Sequence, residues 1–371
     1  LFHRNANAHW AFPTSAETDR IRHQAREAMA DFLGGLPEEM VFGPNMTTLT
    51  FHLSRALGRA MAPGDEIVVT ELDHHANVDP WKAVATERGV TIRVLPLDPG
   101  TGLLELERFP DLLSEQTRLV ALGAASNAVG TLTDIRPLAR MAREVGAKVF
   151  VDAVHLAPHR RIDVEELGCD FLACSPYKFF GPHMGVLWMR KEILAELDVP
   201  KVSAAPKIGP ERFESGTLNS EGMAGTTAAV DFLAGLEEDE AESKAEAAIT
   251  RSGRLDLLFP QLAKREDALL DQLWNGLDGI RGVRLYGPPP GPNRTPTLSF
   301  SVGELPAREV SGRLADEAGA FLSHGDFYAE TLVERLGLRG QGVVRAGVSI
   351  YNTAEEVDRV IRRVEKIAWE S

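Results

Sequence analysis

The sequence predicts an open α/β sheet, mostly parallel, with helices on both faces and a smaller α+β unit at its C-terminal end. The first observation is a set of short apolar runs, DEIVVTELD, TIRVLPLD, TRLVALGAAS, AKVFVDAV, CDFLACS and GVLWMR, most of them separated by helical patterns such as DPWKAVATERG and IRPLARMAREVG. Continuous apolar strands alternating with helices are what a parallel sheet buried on both faces requires. The second is that this alternation stops near Arg190, giving way to a nearly all-helical stretch from Gly222 to Ile280 and then to a second mixed region. The third is length: 371 residues at 44% hydrophobic content suffice for two domains and a sizeable core.

Taken in order, TSAETDRIRHQAREAMADFLGG reads as a helix capped by Thr14, with Glu17 three residues on and Gly34-Gly35 closing it. VFGPNMTTLTFHLSRAL moves from an extended run through Gly43-Pro44 into an amphipathic helix beginning near Met46. The apolar strands follow. The acidic EEDEAESKAEAA reads as a solvated helix face. The turn-rich GPPPGPNRTP leads into TPTLSFSV, a helix near PAREVSGRLADEAG, the strand-like VVRAGVSI and a last helix from Thr353. The expected division is a large domain over 1–265, whose N-terminal segment could instead belong to the small one, and a small domain over 266–371.

A formal net charge of -14, with no Lys/Arg-rich run to reverse it locally, disfavours nucleic acid and anionic membranes and makes a small molecule the default partner. The only cysteines are Cys169 and Cys174, whose odd spacing around one apolar run predicts opposite faces of a strand and no disulfide. Scarce cysteine fits a reducing compartment, so the expectation is a cytoplasmic protein, and no run of about 18 apolar residues suggests a membrane span. The opening LFHRNANAHW has neither an initiator Met nor a signal-peptide core, so a natural N-terminal segment is expected to precede it.

Ligands of open α/β sheets sit at the carboxyl ends of strands, so polar residues that end apolar runs are the candidates. TELDHHAN supplies Asp73, His74, His75 and Asn77; GAASNAVGT supplies Ser126 and Asn127; AKVFVDAVH supplies Asp152 and His155; SPYKFFGPHMG supplies Ser175 and Lys178. Lys178 lies between aromatic residues. Desolvation there would free its amine for Schiff-base chemistry, although a lysine at a strand end that snorkels to water fits the segment as well. Asp152 could hold a protonated pyridine nitrogen, or pair with an arginine or a helix N-terminus. His155 is either a satisfied core histidine or a donor to a ring oxygen.

Adjacent His74 and His75 face opposite ways on a strand, and no HExxH or paired CxxC occurs, so no metal site is expected and stacking on a planar ring is the better use of one of them. Thr47 and Thr48, in the first turn of their helix, form either an anion site or an ordinary cap. The nucleotide fingerprints GxGxxG and GxxxxGK[ST] are absent.

The ordered set ELDHHAN, SNAVGT, VDAVH, SPYK with GPHMG, RFESGTLN and VRAGVSIYNTAEEVD covers nearly the whole chain. It resembles fold-type I pyridoxal phosphate (PLP) enzymes of the class V aminotransferase group, in the branch of cysteine desulfurases and selenocysteine lyases. PNMTTLTF and VDAVHLAPH resemble a desulfurase-like subgroup. The resemblance implies the PLP-transferase fold with a seven-stranded large-domain sheet, PLP as cofactor, an α-amino acid as substrate and a homodimer. By position it makes Lys178 the Schiff-base lysine and proton shuttle, Asp152 the partner of the pyridine nitrogen, His74 the residue stacked on the ring, His155 the group reaching the ring hydroxyl, and Asn127 a neighbour of ring and substrate. Phosphate ligands would be Thr47, Thr48 and Ser175, with Tyr177 where relatives commonly have histidine and Thr217 reaching in from the second subunit. Arg345 would pair with the substrate carboxylate.

One departure bears on the reaction. Where desulfurases carry a persulfide-forming cysteine on a loop near the small domain, this chain has SHGDFYAETL, with Phe327 and Tyr328, and Ser323 in the neighbourhood of an arginine that some relatives have. The expectation is carbon-sulfur or carbon-selenium lyase chemistry without a persulfide cysteine. Aminotransferase or epimerase activity stays open, as does a non-catalytic scaffold. Tyr328, His324, Asp326 and Trp10 are candidates for the substrate side-chain pocket, and Asn7 to Phe12 could help to close it.

Overall fold

The computed structural model describes residues 7–236 and 249–370. The acidic segment read as a solvated helix, residues 237–248, lies outside them. In chain order the strands are β1 (Met40–Gly43), β2 (Glu66–Thr70), β3 (Thr91–Leu95), β4 (Leu97–Asp98), β5 (Leu103–Leu104), β6 (Thr117–Gly123), β7 (Lys148–Asp152), β8 (Phe171–Cys174), β9 (Gly185–Met189), β10 (Val283–Tyr286), β11 (Thr297–Val302), β12 (Ser323–Gly325) and β13 (Val343–Gly347). The helices are α1 (Pro13–Leu33), α2 (Met46–Gly58), α3 (Asp79–Arg88), α4 (Ile135–Glu144), α5 (Val164–Leu167), α6 (Lys191–Glu196), α7 (Ser220–Gly235), α8 (Arg251–Asp278), α9 (Ala307–Ala318), α10 (Glu330–Arg335) and α11 (Ala354–Glu370).

Seven strands form the large sheet in the order β1-β9-β8-β7-β6-β2-β3. Neighbours from β8 through β3 pair in parallel, and β9 runs antiparallel to both β8 and β1. Apart from the edge strand β3, whose residues are mostly exposed or half-buried, each apolar run feeds two cores by simple alternation. In β8, Phe171 and Ala173 pack on the α2–α3 side, while Leu172 and Cys174 pack on the other; β9 does the same with Leu187 and Met189 against Val186 and Trp188. A strand that must satisfy both faces cannot alternate apolar with polar, hence the unbroken runs.

The small sheet, β10-β11-β13-β12, is antiparallel throughout, and α8, α9 and α11 pack with it around a third core that includes Phe300, Leu298 and Val344. Helix α8 belongs to both units. Its Leu255, Leu258, Phe259 and Leu262 lie in the large core, and its Leu269, Leu270, Leu273 and Leu277 lie in the small one.

Two local expectations are corrected. Helix α1 begins at Pro13, not after a Thr14 cap: Phe12 is the N-cap residue and has no side-chain bond to give. Proline at the first helical position, where no N–H is needed, sets the start two residues early, and the Thr14 carbonyl instead accepts the Thr18 hydroxyl. The Gly34 end holds, with φ 75° and its N–H on the Ala30 carbonyl. Cys169 and Cys174 pack into the same core, not onto opposite faces, because Cys169 precedes β8, where strict alternation does not yet apply. Both thiols are free and buried.

Candidate active site

The parallel strands β8, β7, β6 and β2 end at one edge of the sheet, which brings the four polar segments together. A cavity of about 310 Å3 opens there, lined among others by Thr47, Asp73, His74, Asn127, Asp152, His155, Ser175, Tyr177, Lys178 and Arg345. Arg345 comes from the small sheet, on β13 opposite Ser299 and Ser323.

Lys178 sits in a single turn directly after β8, followed by Phe180 at φ 68°. Its ammonium is 5.1 Å from the centre of the Tyr177 ring. Burial, then the nearby Arg345, lowers its pKa, while Asp152 opposes them. Asp152 ends β7 and is 8% exposed, with Oδ1 accepting the Val154 N–H at 2.9 Å. Burial raises its carboxyl to about 6 against the pull of that N–H and of Lys178.

Asp73 was only a strand-end candidate in the sequence, and the structure places it beside Asp152. Its carboxylate accepts the Gly123 N–H and the Asn77 side-chain amide, each at 2.9 Å, and Gly123 is registered opposite Asp152. Gly123 must lack a side chain, since a Cβ there would collide with Asp73 Oδ1. Burial and the charge of Asp152 push Asp73 up to about 8. Burial first, and then the charge of Asp152, disfavours ionising Asp73.

His74 Nδ1 accepts the Ala76 N–H at 2.9 Å, which leaves the proton of the neutral ring on Nε2. Burial and Lys178 lower its pKa to about 4, so it is neutral at pH 7. His75 points elsewhere, to Thr331 and Asp79, but not by strand alternation: β2 ends at Thr70, and His74 caps a short 3-10 turn that His75 opens. His155 lines the cavity, but its Nε2 already meets Thr297 and Thr295 hydroxyls at 3.0 and 3.2 Å. Burial, reinforced by His159, holds it well below the usual histidine range.

Helix α2 starts at the cavity. Asn45 caps it by accepting the Thr48 N–H at 2.8 Å, and no backbone acceptor among the described residues takes the Met46 and Thr47 N–H groups. Thr47 lines the Lys178 cavity; Thr48 and Thr217 line a neighbouring one of about 360 Å3. The helix start comes this close to β9 only because Gly185 has no Cβ, which would overlap Asn45.

Of the side-chain pocket candidates, Tyr328 lines the cavity. His324 and Asp326 open onto a different hollow, and Trp10 is 63% exposed and lines neither. Sequence reasoning missed Asn45, the Asp73–Asp152 pairing and Phe327. An asparagine three residues before Thr48 was a legible capping signal; the other two arise from tertiary approach alone.

These groups fit a phosphorylated pyridine aldehyde. The cavity offers a desolvated amine, a buried carboxyl without a cationic ion-pair partner among the described residues, a neutral imidazole, open helix N–H groups, and an orphaned acceptor in Asn127 Oδ1. No cluster of His, Cys, Asp and Glu among the described residues could hold a metal.

The chain belongs to the class-V aminotransferase family, whose pattern it matches over residues 1–257 and 254–360. It is a PLP-dependent enzyme of fold type I, and its relatives narrow this to the desulfurase-like branch. It is 31% identical to the cysteine desulfurase of Serratia proteamaculans (strain 568) over 95% of this chain and 84% of that one. It is also 31% identical to the one from Pectobacterium atrosepticum over 98% and 87%. Among solved structures, an apo cysteine desulfurase from Thermococcus onnurineus NA1 superposes with a TM-score of 0.88 at 27% identity, covering 99% of this chain and 89% of that one. An Escherichia coli cysteine desulfurase gives 0.82 at 25% identity, over 99% and 88%.

Proposed function

We propose that the chain removes a sulfur or selenium substituent from the β-carbon of a free α-amino acid, and does so without a persulfide on a cysteine of its own. The observation that carries this reading is the pairing of two cations in one cavity, Lys178 and Arg345, neither of which has a carboxylate within ion-pair distance among the described residues. An unpaired half-buried guanidinium is a carboxylate receptor, and an unpaired half-buried amine is a nucleophile.

Bound PLP supplies an electron sink for the substrate α-carbon. Lys178 would be the amine that holds the cofactor and the base that moves the proton at the substrate α-carbon. Asp152 would favour the protonated form of the cofactor's pyridine nitrogen, and His74 would pack against the bound group. Thr47, Thr48 and Ser175, with Tyr177, would hold its phosphate at the α2 start. His155 and Asn127, with its free Oδ1, would bind its remaining polar groups, with Asn127 also serving the substrate. Arg345 would hold the substrate carboxylate.

The enzyme acts as a homodimer in which Thr217 completes the partner's phosphate site. Its exposure, and its place in its own chain on a cavity without Lys178, support this. The persulfide-free step rests on the thiols. The two cysteines are core residues, neither lines the cavity, burial pushes Cys169 up to about 12, and burial with Asp152 pushes Cys174 higher still.

The test is an absorbance spectrum with PLP, repeated with L-cysteine, L-selenocysteine, L-cystine and L-alanine, followed by product analysis. The expected result is a visible band that one sulfur or selenium amino acid shifts, with sulfide or selenide released alongside pyruvate and ammonium, or elemental sulfur or selenium alongside alanine. Accumulation of the pyridoxamine form would mean transamination, and α-proton exchange without net loss would mean epimerisation. No band at all would leave only the scaffold reading.

A further inference from the structure

Phe327 and Tyr328 are successive non-glycine residues with φ of 58° and 57°, a left-handed conformation that L side chains rarely adopt. Such residues persist only where their surroundings hold them. Here they do. The Asn127 side-chain amide donates to the Phe327 carbonyl at 2.8 Å, the His75 N–H donates to the Tyr328 carbonyl at 2.7 Å, and the Tyr328 N–H donates to Asp326 Oδ1 at 2.9 Å. The first two bonds tie this turn to the loops after β6 and β2, across the cavity from its own chain neighbours.

The turn presents the Phe327 ring to Arg345, whose guanidinium carbon lies 3.9 Å from the ring centre. Arg345 Nη1 donates to the Asn127 carbonyl at 2.7 Å. One face and one nitrogen of the guanidinium are thereby fixed, and Asn127 holds both partners: its carbonyl takes Arg345, and its amide takes the Phe327 backbone. No carboxylate among the described residues shares the guanidinium, so its aim is set by the aromatic face and one carbonyl. A flexible arginine without these contacts would have many rotamers, of which few suit a bidentate carboxylate.

We propose that Phe327 is a positioning residue that aims Arg345 at the substrate carboxylate, and that the left-handed Phe327–Tyr328 turn exists to hold its ring there. The proposal rests on the reading of Arg345 as carboxylate receptor. It makes the loop that faces the cofactor pocket a fixed wall in the resting enzyme.

The test uses the PLP-loaded enzyme and two probes, L-cysteine and cysteamine, which differ by the carboxylate. Their dissociation constants are read from the shift of the visible band. Phe327→Leu keeps bulk and loses the cation–π contact, so L-cysteine affinity should fall about 3- to 30-fold, with cysteamine affinity and PLP affinity unchanged. Phe327→Trp should restore the L-cysteine preference. If Phe327→Leu weakens both probes equally, or leaves both unchanged, Phe327 does not aim Arg345. If wild-type enzyme itself does not prefer L-cysteine to cysteamine, it is the carboxylate reading of Arg345 that fails. Arg345→Leu separates the cases, because after it Phe327→Leu should have no further effect on L-cysteine.

Discussion

Replacing Asp73 with asparagine turns the buried carboxyl pair into a measurable stability profile. In the folded state the group titrates near 8, against 3.8 for an unburied aspartate. Its folded pKa is raised, so the folded state binds the proton more tightly; the contribution is fully present below about pH 3.8 and is lost as pH rises towards 8. At pH 7 the loss spans about 3 pKa units, which at about 1.4 kcal/mol each is on the order of 4 kcal/mol. Asparagine cannot ionise and still accepts the Gly123 N–H, but its own amide then faces the Asn77 amide. That exchange of one buried hydrogen bond for a donor–donor contact costs about 1 kcal/mol. Asp73→Asn should therefore match wild type at about pH 5 and exceed it by about 3 kcal/mol at pH 7. The assay is guanidinium unfolding of cofactor-free protein at the two pH values, where the titration of Asp152 is common to both chains. A stability difference that is the same at both pH values would refute the raised pKa of Asp73.

Lys178→Ala should fold and bind PLP without the visible band, and should lose amino-acid turnover by at least about 100-fold; normal turnover would remove Lys178 from the site. The double variant Cys169→Ala, Cys174→Ala should still release sulfide or selenide, with unfolding stability lower by about 1–3 kcal/mol from two small cavities; loss of product from a folded, PLP-loaded variant would restore a persulfide step. Arg294→Met should destabilise by more than about 2 kcal/mol. That side chain is fully buried over Trp274, bonds only backbone carbonyls, including those of Val129, Thr297 and Pro288, and its removal orphans them. A denaturation midpoint within error of wild type would show that those carbonyls find other partners.

Much of this was legible in the residues. Five of the six apolar runs became strands because a both-faces-buried strand has no polar register to hide, while TIRVLPLD became the partly exposed edge strand β3; the strand-end rule located the pocket because parallel strands must end together. The small sheet was half-read. TPTLSFSV and VVRAGVSI stood out, but β12, the short Ser323–Gly325, did not, since three exposed or half-exposed residues carry no pattern and pair only because β13 lies alongside. Roles that depend on direction rather than identity were the least visible. Nothing in DFYAE announces two left-handed residues, and nothing in ELDHHAN says that its aspartate leans on a glycine fifty residues later.

Helix α8 has a consequence for how such a chain can be taken apart. It enters one core and leaves through the other without a break, so the boundary between the two units falls inside a helix and not in a linker. Modules that are traded between genes or expressed alone are usually joined by exposed, weakly bonded chain. Here any cut that freed the C-terminal unit would strip leucines from one interior or the other. A break within α8 would therefore part Arg345 of the smaller unit from Lys178 of the larger only at the cost of one interior.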